Sequence, residues 1–460
     1  MSTAPGPAGH WLLGSLPERR SNPIGFFTSS AREFGPVIGY RMGPKAVMQV
    51  AHPEAIRHVF LENHKNYIKG FGYDKLEPIL GKGLLTSEGD FWRRQRKLAQ
   101  PAFHRPRLAA LVADIVGMGH ELLARWEPMA NRPVAPDTIL DLSHEMTRFA
   151  LKVASVTLLG KDVSDHAGRV GQALGRLLEL ANDQITSVFT VPQSIPTPGV
   201  LRFRKDRDLL NSVVFGIIDE RRKQLAQGQA PQNHDLLAML MDLKDEDTGE
   251  KMSDAQLRDE VMTIFLAGHE TTANLLTWTL MLLSQHPDAY ARLTAEVDQV
   301  LAGRAPTFED LGKLRYTLMV LEESLRLYPP AWVLSRQAVG DDEVLGFRIP
   351  KRTIVVASPY VMHHHPHYWE NPEGFRPERF DPANPEEATK NKFVYFPFGA
   401  GPRYCIGKDF ALIEAQIVLA MIVSKYRVDV VPGQTLVPEP LITLRPRDGI
   451  WVNLRKRAAR

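Results

Sequence analysis

The chain has 460 residues, 44% hydrophobic, 24% charged and 8% aromatic, with a formal net charge of +3 and a single cysteine. This is ordinary globular usage in a chain long enough to bury a large core, and the net charge is too small to imply a nucleic-acid partner. One cysteine excludes an internal disulfide, and Met1 to Gly14, rich in Pro and Gly, has no run long enough for a signal peptide or a membrane span, so a soluble, cytoplasmic monomer is expected.

Residues 1–34 read as a Pro- and Gly-rich lead segment, and 35–460 as one domain with no internal repeat. Two short β-runs, Val37 to Met42 and Ala46 to Val50, meet at Gly43-Pro44 as a hairpin whose tip carries Lys45, a solvated turn lysine or a contact for an anionic substrate. From Arg105 to Leu282 apolar residues recur at helical spacing, broken by a Pro-rich turn at 191–198, a polar loop at 226–235 and a charged turn at 242–251. Ser253-Asp254-Ala255-Gln256 is a capping box, and the helix it starts runs to about Ser284, where His286-Pro287 stops it. Its middle is apolar almost all round, the mark of a central buried helix. Another helix ends at Tyr328-Pro329-Pro330, short strands follow at 347–349 and 353–357, and an irregular stretch leads to Phe398. A last helix follows Cys405, and residues 441–444 and 450–454 alternate well enough for a closing hairpin around Pro446 to Gly449. The fold class expected is mainly α with a smaller β-rich part.

Five constellations carry chemistry. Trp92-Arg93-Arg94-Gln95-Arg96-Lys97 is a basic helical turn in which Trp92 and Arg96 share a face suited to a buried anion; Arg336 and Arg403 are further anion contacts. Ala267-Gly268-His269-Glu270-Thr271-Thr272 interrupts the apolar central helix with small residues, an acid and hydroxyls. Ala267 and Gly268 leave room for something flat, and Thr271 can bond back to the carbonyl of residue 267; the patch suits either a helix kink with satisfied polar groups or a proton relay. Glu323 and Arg326 share a helix face, and with Arg379 they form a structural lock more plausibly than a catalytic group. His363-His364-His365-Pro366-His367 has the look of a metal tract, but Pro366 prevents helical presentation, and loop packing is the better reading. Finally, Cys405 lies in Phe398-Gly399-Ala400-Gly401-Pro402-Arg403-Tyr404-Cys405-Ile406-Gly407, at a helix start that favours its thiolate. Zinc would need three more soft ligands and a nucleophile a general base, and neither is nearby. An axial thiolate on haem iron suits the setting better.

Together these motifs resemble the haem-thiolate monooxygenases of the cytochrome P450 family, from about Gly35 to the C-terminus. The family's F-x-x-G-x-R-x-C-x-G loop is matched in full by Phe398 to Gly407, A-G-x-E/D-T by Ala267 to Thr271, E-x-x-R by Glu323 and Arg326, and W-x-x-x-R by Trp92 and Arg96. The resemblance implies a triangular-prism fold with haem b between the central helix and the helix after Cys405. It also implies Cys405 as the iron ligand, and Glu270 and Thr271 in proton delivery while O2 is the co-substrate.

By the same resemblance Trp92, Arg96, Ala267, Gly268, Arg336, Phe398, Arg403 and Gly407 contact the cofactor, and Glu323, Arg326 and Arg379 form the lock. Phe71, Leu85, Phe189, Leu266, Ala331, Val333, Leu334, Ile442 and Thr443 shape a pocket for a hydrophobic substrate such as a fatty acid, terpenoid or steroid. The chain ends about 55 residues after Cys405. Electrons are therefore expected from a ferredoxin or flavodoxin with its reductase, and from NAD(P)H only indirectly, with Arg93, Arg94, Lys97 and Lys408 as a docking face. The competing readings are a haem-binding sensor or carrier, and a dioxygen-independent isomerase or dehydratase of the same fold; neither needs the acid and alcohol of Glu270 and Thr271.

Overall fold

A computed structural model describes residues 3–161, 164–187, 194–228, 235–242, 249 and 251–457. Its longest helix, Asp254–Gln285, is 32 residues long, roughly 48 Å at 1.5 Å per residue. The capping box is formed: the Ser253 N–H donates to Gln256 Oε1 (2.8 Å), and the Gln256 N–H donates back to Ser253 Oγ (3.3 Å). Pro287, which cannot extend that ladder, opens the next helix instead.

This central helix belongs to two apolar cores. Residues 261–266 pack with Leu142–Leu159, Ser164–Thr186 and Pro198–Ala226, whereas residues 273–283 pack with the C-terminal helix Lys408–Lys425, the helix Arg315–Leu327 and the β-rich part. The polar patch at 267–272 falls at the seam between them. The Cys405 loop crosses the same seam, since Phe398 and Ala400 join one core and Ile406 the other.

The larger sheet runs Val37–Met42, Lys45–Val50, Ile354–Ala357, Leu334–Ala338 and Tyr67–Ile68 from edge to edge. The first pair is the hairpin expected from Gly43-Pro44, with Val37 opposite Val50, and the second strand pairs in parallel with Ile354–Ala357. Phe347–Ile349 pairs separately with Asp342–Val344. Within the first 34 residues, Leu16–Ser21 and Pro23–Phe34 are helical, and Phe26 and Phe27 are buried in the core beside the sheet.

The expected closing hairpin does not form. Pro438–Pro440 pairs with Leu444–Pro446, while Trp451–Lys456 pairs with Tyr426–Val430 over five residues. The longer register satisfies more backbone groups than the short local one offers, and Leu441 and Ile442 are left to line a cavity. Parts of the loops read at 191–198, 226–235 and 242–251 lie outside the described residues.

Near the start of the central helix Glu260 is buried, with Oε2 accepting the Leu84 N–H (3.0 Å) and Oε1 unpartnered. Burial pushes this carboxyl from an ordinary 4.5 up to about 8. Between those values the unfolded chain gives up a proton that the folded one keeps. The stability linked to Glu260 is therefore complete below the ordinary carboxyl range and is lost as pH rises through about 8. Glu260→Gln removes that loss, so the urea midpoint of the variant, relative to wild type, should rise between about pH 5 and about pH 9; a constant difference would contradict this.

Candidate active site

On the Cys405 side, the scaffold is built outward from Glu323. Its carboxylate accepts bidentate bonds from Arg326 (2.7 and 2.8 Å) and one from Arg379 Nε (3.3 Å), and all three side chains are buried. The other guanidinium donors reach backbone and one further acid: Arg326 donates to the carbonyls of His363, Pro372 and Gly374, and Arg379 to the Asn371 carbonyl and to the Glu386 carboxylate. This is the expected lock, and it clamps residues 363–379 against the helix Arg315–Leu327.

His363 carries the clamp to the cysteine loop. Its Nε2 accepts the Phe396 N–H (3.0 Å), so Nδ1 carries the proton and donates to the Arg326 carbonyl (3.2 Å). Burial holds this imidazole well below its ordinary range and keeps it neutral. His364 bonds the Tyr360 carbonyl, so the histidine tract divides its rings among separate packing tasks.

From Phe396 the chain turns at Gly399, whose N–H bonds the Phe396 carbonyl, and the Cys405 N–H bonds the Phe398 carbonyl (3.0 Å). Gly401, at φ +68°, is pressed against the backbone of Phe60; a Cβ there would sit 1.8 Å from that carbonyl oxygen, so only glycine fits.

The Cys405 side chain is accessible yet closely surrounded by protein. Burial raises its thiol; the Gly407 N–H, Arg96 and Lys69 act against that by favouring the thiolate. Beside it lies a group of cations. Lys69 is buried, donating its ammonium to the Leu85 carbonyl (2.7 Å), and is held well below its ordinary range by burial and then by Arg336 and Arg403. Arg403 stacks on Trp92 (3.9 Å to the ring centroid) and pairs with Glu88, and burial, reinforced by Arg336, lowers it to about 10. Arg336 donates to the Ser335 carbonyl and lies over Phe60.

Trp92, Arg96, Arg336, Phe398, Arg403, Gly407 and Cys405 are thus brought together as expected. Lys69 and Glu88 were missed: neither sits in a recognisable motif, and Glu88 meets Arg403 only across 315 residues of chain.

On the central helix, Ala267 is exposed in the middle of an otherwise buried stretch, whereas Gly268 faces Leu158 and Ala154 of the neighbouring helix. Ala267 alone therefore provides the open face, and Gly268 serves helix packing. Thr271 Oγ1 donates to the Ala267 carbonyl (2.8 Å), as its position suggested. Glu270 Oε1 accepts a bond from Thr443 Oγ1 (2.8 Å), which in turn accepts from Asn274 Nδ2 (3.2 Å). Thr443, expected only as a pocket wall, is the residue that holds the acid.

An apolar cavity of about 150 Å³ opens next to Thr443, lined by Phe71, Ile185, Trp332, Val333 and Ile442 among others. Of the remaining expected wall residues, Leu85, Leu266, Ala331, Leu334 and Thr443 lie outside this lining. Leu266 is packed in a core, Ala331 is half-buried, and Leu334 reaches toward Gly399. Phe189 lies outside the described residues. Lys45 places its ammonium over the Phe71 ring (3.3 Å).

These features fit haem: a sulfur that the Gly407 N–H, Arg96 and Lys69 draw toward the thiolate against its burial, an open Ala267 face at the same seam, and Lys69, Arg96, Arg336 and Arg403 gathered with Glu88. Arg403 Nη1 is buried without a partner, as expected of a donor meant for a propionate. The fold and site define an oxidoreductase of the haem-thiolate class. The family description "Cytochrome P450" matches residues 4–451, so the chain belongs to the cytochrome P450 family.

It is 36% identical to a cyclooctatin synthase and 36% identical to a cyclooctat-9-en-7-ol 5-monooxygenase, both of Streptomyces melanosporofaciens. Those matches cover 95% and 94% of this chain, respectively, and 91% of each relative. It is 34% identical to a pentalenene oxygenase of Streptomyces avermitilis over 96% of the chain and 94% of that protein. The protein is a monooxygenase. No described helix is long and apolar enough to cross a membrane.

Removing the charge of Glu323 leaves Arg326 buried without a counter-ion and Arg379 with Glu386 alone. Glu323→Gln should cost about 3–5 kcal/mol in urea unfolding. A change under about 1 kcal/mol, the range of exposed pairs, would contradict the lock.

Proposed function

We propose that this monooxygenase hydroxylates or epoxidises a terpenoid, with electrons reaching it from NAD(P)H through a reductase and a ferredoxin or flavodoxin. The reading is carried by the continuity between an apolar pocket and an acid: Ile442 lines the cavity, and the adjacent Thr443 holds Glu270. It is supported by relatives that are terpenoid oxygenases.

When bound, haem supplies the iron that activates dioxygen for insertion of one oxygen atom into the substrate. Cys405 would hold its iron through the thiolate, and the Gly407 N–H, bonded to that sulfur, would set how strongly it donates. Lys69, Arg96, Arg336 and Arg403, with Trp92, would hold the propionates. The apolar cavity excludes water and positions the substrate, and Glu270 takes up protons and passes them to the open face beside Ala267. Because Thr271 spends its proton on the Ala267 carbonyl, its oxygen is free to accept one. Thr443 sets the carboxylate's orientation.

In a system reconstituted with ferredoxin and reductase, the product should carry one atom from isotopically labelled dioxygen. Thr271→Ala should lower product per electron pair at least ~10-fold, with hydrogen peroxide making up the balance. Thr443→Val should produce a smaller loss, about threefold, that Thr443→Ser restores. Unchanged coupling in both variants would reject the relay.

A further inference from the structure

Two polar groups in the wall of the apolar cavity each leave a buried atom without a hydrogen-bond partner. Arg19 comes from the short helix Leu16–Ser21 and Tyr40 from the edge strand Val37–Met42, and both line the cavity that Ile442 also lines. Around Arg19 the surroundings are apolar: Nη1 lies 3.2 Å from the Met42 sulfur, and the guanidinium is 5.7 Å from the centroid of Phe27. Its Nε is buried with no hydrogen-bond partner, and no carboxylate of the described residues pairs with it. Tyr40 is 6% exposed, packed edge-on against Phe26 (5.1 Å), and its hydroxyl is also buried and unpartnered.

A guanidinium and a phenol left unpaired in an apolar wall are unfavourable unless a ligand completes them. Burial accordingly lowers the pKa of Arg19 and raises that of Tyr40, each toward its neutral form. Lys45, over the Phe71 ring, adds positive potential that Asp74 partly offsets, and no carboxylate is among the cavity's described lining residues, so its charge favours an anion.

We infer that Arg19 and Tyr40 anchor a carboxylate at one end of the substrate, with the apolar body of the molecule lying along Phe27, Trp332 and Ile442 toward Glu270. This rests on the reading of the cavity as the substrate's path, and it narrows the substrate class to terpenoid acids. A planar guanidinium can bond both carboxylate oxygens, and the phenol can donate to one of them. An ester or alcohol offers no charge to offset the buried cation. The substrate must then come from a reaction that has already oxidised a terpenoid carbon to the acid.

The test uses the haem-loaded protein with abietate, its methyl ester and the corresponding primary alcohol, followed by the substrate-induced spectral shift and by isothermal calorimetry. Wild type should bind the acid at least ~10-fold more tightly than either neutral compound, and Arg19→Met should erase that preference by weakening the acid alone. Arg19→Lys should restore part of it, and Tyr40→Phe should weaken the acid about threefold, which keeps the outcome readable if one variant folds poorly.

Equal binding of acid and neutral forms, or a preference that survives Arg19→Met, would overturn the anchor. So would failure of all three probes to bind a protein that oxidises a neutral terpenoid, and that result would leave the monooxygenase reading intact. Tight, Arg19-dependent binding of an acid that is never oxidised would instead count against the proposed reaction and leave the anchor standing.

Discussion

Glu323 is a carboxylate with no exposure to solvent, flanked by two guanidiniums that are almost as deeply buried. Charges removed from water in this way are tolerated only when every lone pair and N–H is used, and here they are used on backbone groups far away in sequence. Arg326 and Arg379 hold the carbonyls of residues 363, 371, 372 and 374, and His363 passes the constraint to the Phe396 N–H. The cysteine loop that follows contains no helix or strand long enough to define its own shape. Its geometry is inherited from the lock, through His363 and through the close approach of Gly401 to Phe60.

That rigidity serves an electrostatic purpose. Burial opposes a negative sulfur at Cys405, and three kinds of positive partner oppose the burial: an oriented N–H, a nearby arginine and a buried lysine. Burial first, and then the cations gathered around Trp92, depress the pKa of Lys69 and Arg403. A dianionic cofactor with an anionic ligand relieves both strains at once. The open face of Ala267 and the acid of Glu270 fall at the seam between the two cores that the cysteine loop also crosses, where neither core is complete.

Much of this was legible in the sequence because it is encoded locally. The capping box at Ser253, the E-x-x-R pair, the glycine-rich loop and the Gly43-Pro44 hairpin each use residues within a few positions of one another. What was missed depends on long-range pairing. The strand at 451–456 prefers a partner at 426–430 to a nearer one, Lys69 comes to face arginines hundreds of residues away, and Thr443 reaches back to Glu270 on the central helix. Gly268 was read as space for a cofactor, yet its face is decided by the rotation of the central helix against its neighbour. The polar pair Arg19 and Tyr40 carries no motif at all; it becomes visible only when the helix at 16–21 is laid across the edge of the sheet.

The central claim is that Cys405 binds haem iron as a thiolate, and the reduced carbon monoxide difference spectrum tests it most directly. Haem-loaded wild type should show the red-shifted thiolate band, and Cys405→Ser should lose that band while its haem content, measured independently, is retained. Absence of the band in haem-replete wild type, or its persistence in Cys405→Ser, would contradict the account.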